Sequence, residues 1–166
     1  MNNSADRLTS TNNNVNEQIY LRIQIDRDIA AAIPMEYARE VLVIPNKRLT
    51  PIPNMSPCIL GLLNQRSRVF WVVDLPQILE LTQQKKYSQQ YHIAIVRVND
   101  IPLGLAVDRV KGSIRLDPNG IRSPLETIPL HLIPYVQGCF ALKTEVLLIL
   151  NLQAIINSPL LQDNKY

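Results

Sequence analysis

The sequence predicts a mainly β protein, two small closed β-barrels related by internal duplication and carrying short helices, on two observations. The first is a repeated phrase: GLLNQRSRVFWVVDLPQIL, Gly61 to Leu79, and GCFALKTEVLLILNLQAII, Gly138 to Ile156, each read as a strand pair running into a helix. Subtracting 61 from 138 gives an offset of 77 that aligns them without a gap. Pro57 meets Pro134, Ile59 meets Val136, Gly61 meets Gly138, Val69 meets Val146, Asp74 meets Asn151, Leu75 meets Leu152 and Ile78 meets Ile155. Ungapped proline, glycine and Asx-Leu coincidences mark a true repeat. The second observation is that the chain ahead of each copy has the same layout, with five short strands per half; closing a small sheet removes the unpaired edges that invite aggregation.

In order, Tyr20 to Ile25 alternates as a half-buried strand, Asp26-Arg27-Asp28 turns, and Ile29 to Ile33 returns. Met35 to Val41 follows as a turn or short helix, then a third strand, Val41 to Ile44, and a proline-rich loop from Pro45 to Pro57. The strand pair and helix of the first repeat close this half. Polar Leu81 to Gln90 is the expected join. The second half repeats the plan: Tyr91 to Val98, the turn Asn99-Asp100, Pro102 to Val107, an acidic-then-basic turn to Gly112, Ser113 to Leu116, a loop from Pro118 to Pro134, and the second repeat. Residues 1–17, rich in Asn, Ser and Thr, read as a disordered lead; 18–157 form the domain, its halves intertwined or side by side, and 158–166 a tail.

A chain of 166 residues can bury a sizeable core, about 70% of its unfolded surface. With 46% hydrophobic and 19% charged residues and no apolar run near the ~18 residues of a membrane helix, it reads as a cytoplasmic protein. Cys58 and Cys139 carry no ligand or disulfide spacing and read as small buried side chains with no bridge between them. A net charge of +3 permits nucleic-acid contact, but the basic residues are scattered rather than gathered in a stripe.

Asp74 stands where a helix begins with Gln77 three residues on, a capping-box spacing in which each side chain satisfies a free backbone N–H; its repeat partner Asn151 can cap but cannot act as a base. Asp108 reads as a turn acceptor. His92 and His131 lack companions at ligand spacing, so no metal is expected, though His92 at a strand start can face a partner. With five glycines and no phosphate-cradling motif, no nucleotide cofactor is expected either. Trp71, inside Val-Phe-Trp-Val-Val, reads as core or barrel contact, not as a base-stacking platform.

From about Gln18 to Asn157 the chain resembles the CheW family of bacterial chemotaxis coupling proteins. Tyr20-Leu-Arg-Ile23 is similar to its opening strand, Ala38-Arg-Glu-Val41 to its short acidic segment, and Ile52 to Gly61 to its proline-rich approach to a glycine. Asn64-Gln-Arg-Ser67 stands where the family has Asn-Leu-Arg-Gly, and Val72-Val-Asp-Leu75, Gly104 to Val110 and Leu147 to Leu152 match closely. The resemblance implies two SH3-like five-stranded barrels, no catalytic activity, and an adaptor joining methyl-accepting receptors to a CheA-type histidine kinase, whose regulatory domain is itself CheW-like. It implies a place at membrane-associated receptor arrays, with membrane contact only through receptors, and an interface including Ala38, Glu40, Asn64 and Arg66; His92, outward at its strand start, is expected to join it. The Asn-rich lead also resembles adaptors of pilus-based twitching or phototaxis systems. Gln65 and Ser67 depart from the family turn, so its backbone and partner preference are open. The competing reading is a double β-barrel that binds nucleic acid.

Overall fold

The computed structural model describes residues 16–81, 88–124 and 128–162. Eleven strands appear among them: β1 Gln18–Gln24, β2 Ala30–Pro34, β3 Ala38–Pro45, β4 Leu49–Thr50, β5 Ile59–Gln65, β6 Arg68–Asp74, β7 Gln90–Val98, β8 Ile101–Val107, β9 Arg109–Leu116, β10 Val136–Ala141 and β11 Val146–Leu150. Three short helices accompany them: α1 Leu75–Ile78, α2 Leu152–Ile156 and α3 Pro159–Gln162. Most of the expected lead, most of the expected join and the end of the expected tail lie outside the described residues. Met35 to Tyr37 is a plain turn with no helix, and the strand after it begins at Ala38, ahead of the expected Val41.

The strands form two curled sheets, and neither sheet is one half of the chain. One, barrel I, runs β10-β11-β2-β1-β9; the other, barrel II, runs β3-β7-β8-β6-β5-β4. The first hairpin of each half is thus built into the barrel of the other half. Of the two arrangements the sequence leaves open, intertwined or side by side, the pairings describe an exchange, since β2 pairs in parallel with β11 and β8 with β6.

The repeat survives in the register. In barrel II Ile59 faces Val73, Gly61 faces Val72, and the pairing shifts between them; in barrel I Val136 faces Leu150, Gly138 faces Ile149, with the same shift. The bridge from Thr50 to Leu62 has its counterpart in the bridge from Arg122 to Cys139. Where β3 meets β7, Arg39 is an extra residue between the pairs Ala38–Val96 and Glu40–Ile95; where β9 meets β1, Lys111 is extra between Val110–Ile23 and Gly112–Arg22. Each bulge re-aims the residues beside it.

Packing explains why the strands read as apolar on both faces. Phe70, Val72, Ile93 and Ile95 fill the inside of barrel II, while Tyr20, Ala30, Ala32, Leu147 and Ile149 fill the inside of barrel I. The opposite faces of the same strands, among them Ile23, Ile33, Val73, Ala94, Leu105 and Leu148, join α1 and α2 in a larger core shared by both barrels. Burying such a side chain contributes about 1.5–3 kcal/mol, so this shared layer locks the barrels together. Asn151 caps α2 as expected, accepting from the Ala154 N–H at 3.1 Å. Asp74 does not cap α1: its Oδ2 instead accepts from Gln77 Nε2 at 2.8 Å, a side-chain pair that leaves the helix end uncapped by Asp74.

Candidate functional site

The expected interface residues meet at one end of barrel II. Gln65 pairs with Arg68 across a loop of only two residues, Arg66 (φ 53°) and Ser67 (φ 64°), both left-handed as a type I′ hairpin turn requires. Left-handed backbone costs a residue bearing a Cβ about 1–2 kcal/mol, and here two such residues accept it in succession. The tight turn throws the Arg66 side chain outward, 79% exposed, with Nη2 3.5 Å from Glu40 Oε1.

Glu40 reaches that arginine from β3 just after the Arg39 bulge. Gln65 Nε2 also donates to Glu40 Oε1 at 3.5 Å, and Gln65 Oε1 accepts from Arg48 Nη2 at 3.0 Å. Arg48 further donates to the Asn64 carbonyl at 2.8 Å. Gln65, a departure from the resembled family, is therefore the junction between Arg48 and Glu40, a role leucine could not fill. The exposed Arg66–Glu40 pair by itself is worth about 0–1 kcal/mol.

Around this hairpin lies a cleft of about 730 Å³ rimmed by Arg39, Glu40, Arg66, Arg68, Arg97 and Asp100, with Phe70 and Ile95 below. Four guanidiniums face two carboxylates there, an excess of two positive charges. Arg39 Nη1 donates to the Glu36 carbonyl at 3.1 Å, and Arg97 Nη2 lies 3.5 Å from the highly exposed Asp100 Oδ1. Arg68 has no ion-pair partner among the described residues.

Of the five expected residues, Glu40 and Arg66 line the cleft, and Asn64 stands exposed next to it, its carbonyl held by Arg48. Ala38 packs against the shared core instead. His92 pairs with Val43 and Val107, three residues along β7 from Ile95, about 10 Å away, so it stands apart from the cluster. Trp71 is a correction: it is 39% exposed, on the face of β6 opposite Phe70 and Val72, near exposed Val69. The apolar run hid the alternation, because β6 is buried on both faces only where it reaches the shared core. Arg68 and Arg97 belonged to no motif, and Arg39 stood unremarked inside one; the bulge and the two hairpins bring the three together.

Cys58 and Cys139 are buried and are not joined to each other. Burial pushes the Cys58 thiol up, opposed by the Ser56 hydroxyl 3.3 Å away and a backbone hydrogen bond. Among the described residues no group of three His, Cys, Asp or Glu could hold a metal, and no helix is long and apolar enough to cross a membrane.

Comparison with known proteins converges on one family. The model of the CheW-like domain matches residues 20–160. The chemotaxis protein CheW of Thermotoga maritima is 35% identical over 80 residues, 47% of this chain and 50% of that protein, so the match spans half its length. CheW of Treponema pallidum is 24% identical over 127 residues, 75% of this chain and 74% of that protein. The crystal structure of the scaffolding protein TtCheW from Thermoanaerobacter tengcongensis superposes with a TM-score of 0.70 at 22% identity, covering 81% of this chain and 89% of that one. The two curled sheets are the two SH3-like barrels of this fold.

Proposed function

The chain belongs to the CheW-like domain family, and from that membership we propose that it is a non-catalytic adaptor coupling methyl-accepting receptors to a CheA-type histidine kinase. The observation that carries the reading is the family match across residues 20–160, which takes in both interlocked barrels. The family is a scaffold without catalytic activity, and its work is to hold several proteins at once. Two weak contacts made by one rigid body raise effective concentration without any strong contact. A shared core between the barrels suits this, because it fixes one docking surface relative to another.

The partner surface is assigned to Glu40, Asn64 and Arg66 at the barrel II hairpin, with Ala38 beneath it and His92 further along β7. A kinase whose regulatory domain has the same fold would dock barrel to barrel, at the array on the cytoplasmic side of the membrane. The narrower assignment, to pilus-based twitching or phototaxis, rests on the Asn-rich start of the sequence, and the receptor that co-purifies decides it. Titration calorimetry with the CheW-like regulatory domain of the cognate kinase, and separately with the receptor's cytoplasmic region, tests the reading. Binding of both is expected, and absence of both overturns it.

A further inference from the structure

The cleft at the end of barrel II has a counterpart in barrel I, and the two ends are filled differently. The strand pairings make Arg22 of β1 the equivalent of Ile95 of β7, since Arg22 faces Gly112 and Ala32 where Ile95 faces Glu40 and Gly104. The 77-residue offset makes Glu145 the equivalent of Arg68. In barrel I, Arg22 and Glu145 form an ion pair with each other, their side chains 30% and 23% exposed. In barrel II the same two places hold an isoleucine and an arginine. Among the described residues no carboxylate answers Arg68, and Ile95 lies below an open cleft.

We propose that this cleft is a docking site for an acidic segment of a protein partner, a stretch carrying carboxylates beside an apolar side chain. The charge argues for it: Arg39, Arg66, Arg68 and Arg97 surround the opening against only Glu40 and Asp100. Guanidiniums present planar forks that match carboxylates two bonds at a time. Phe70, Ile95 and Pro102 supply an apolar lining into which a Leu- or Phe-sized side chain fits between those forks. Asp100 is almost fully exposed, so a partner carboxylate can replace it on Arg97 with little loss. The backbone of the opening is fixed by two tight turns, Arg66-Ser67 and Asn99-Asp100, all four residues with positive φ. A preset opening spends less ordering entropy on binding.

The proposal rests on the adaptor reading insofar as it expects a protein partner, and it names the chemistry of one. A fluorescein-labelled ten-residue peptide of alternating glutamate and leucine is titrated against the full chain by anisotropy, beside a lysine-leucine peptide and a single-stranded oligonucleotide. The acidic peptide is expected to bind, and the lysine peptide is not. Arg68→Glu and Arg97→Glu each weaken binding at least tenfold, and the milder double variant Arg68→Gln with Arg97→Gln does the same with an unchanged melting temperature. Lys111→Glu, at the matching bulge of barrel I, leaves binding as it was. Peptide binding that is absent, or that is indifferent to Arg68 and Arg97, overturns the proposal; so does an oligonucleotide that binds as tightly and competes for the same arginines, which makes the cleft a general anion site. Kinase and receptor titrations on the same variants separate the two readings. If both partners still bind while the acidic peptide does not, the cleft fails and the adaptor role stands.

Discussion

Barrel I and barrel II agree in backbone register and differ in the side chains that close their ends. The strand pairs Gly61–Val72 and Gly138–Ile149 occupy the same place after the same register shift, and a bulge follows Ala38 in one barrel and Val110 in the other. Yet Arg22 and Glu145 pair with each other in barrel I, whereas Ile95 and Arg68 leave barrel II open. The difference teaches that after duplication the ladder is constrained and the barrel mouths are not. A change of register would turn every buried side chain to the wrong face, while a change at a mouth alters only what docks there.

The largest expected effect tests whether the barrels are interlocked. Residues 1–81 hold the first hairpin of barrel I and four strands of barrel II, so neither that fragment nor 88–166 contains a complete barrel. Each alone is expected to lose the whole folding stability, of order 5–15 kcal/mol for a domain, and to show no cooperative melt by circular dichroism. Mixing the two restores it. A cooperative melt of residues 1–81 alone would break the comparison at its root.

The next effect separates the two matched glycines. Gly61 has φ 142°, and a methyl there would run into the Thr50 carbonyl; Gly138 has no left-handed φ, but a methyl would lie 2.7 Å from the Arg122 carbonyl oxygen. Overpacking costs about 1–3 kcal/mol and backbone strain a further 1–3. Gly61→Ala is therefore expected to cost about 4 kcal/mol and Gly138→Ala about 2, read as the difference between urea unfolding curves. Equal costs would show that the collision alone matters and that φ at Gly61 is relaxed by its surroundings.

How much of this was legible depended on whether a feature is local. The repeat, most of the strands, the turn at Asn99-Asp100 and the Asn151 cap were readable because each is set by residues close in sequence. The exchange of hairpins stood only as one of two open arrangements, intertwined or side by side. Tyr20 to Ile33 reads identically whether β2 lies beside β6 or β11, since only its long-range partner differs. Trp71 was misread for the same reason: its neighbours Val72 and Val73 are buried by different cores, and the sequence does not say where the shared one ends. Glu40 and Arg66 were found through a family motif, but Arg68 and Arg97, which belong to no motif, came together only through folding.

A smaller effect compares the two hairpin turns as binding elements. At the 77-residue offset Lys143 stands where Arg66 does, and both are exposed cations. Arg66→Glu is expected to weaken kinase or receptor binding about tenfold, about 1.4 kcal/mol, with the melting temperature nearly unchanged, because the Glu40 pair it breaks is solvent-exposed. Lys143→Glu is expected to leave binding alone. Calorimetric titration of the cognate partner decides it: if the two variants behave alike, the functional asymmetry between the barrels is not in their turns.

The smallest effect differs in sign between the same two turns. Ser67 (φ 64°) sits in the left-handed region, whereas neither Lys143 nor Thr144, the matching pair, has a positive φ. In the second turn the chain instead spans Leu142 to Glu145 with a hydrogen bond from the Leu142 N–H to the Glu145 carbonyl at 2.8 Å. Glycine removes the Cβ clash of a left-handed residue, about 1–2 kcal/mol, and adds unfolded-state entropy that costs about 0.5–1. At Ser67 the first effect exceeds the second, so Ser67→Gly is expected to stabilise the protein by about 0.5 kcal/mol. At Thr144 there is no clash to relieve and only the entropy remains, so Thr144→Gly is expected to destabilise by about the same amount. Paired thermal melts, with a shift of about 1–2 °C up for one and down for the other, read the sign directly. Two shifts in the same direction would mean that the turns share a backbone after all, and that Ser67 is not where this chain's hairpin carries its strain.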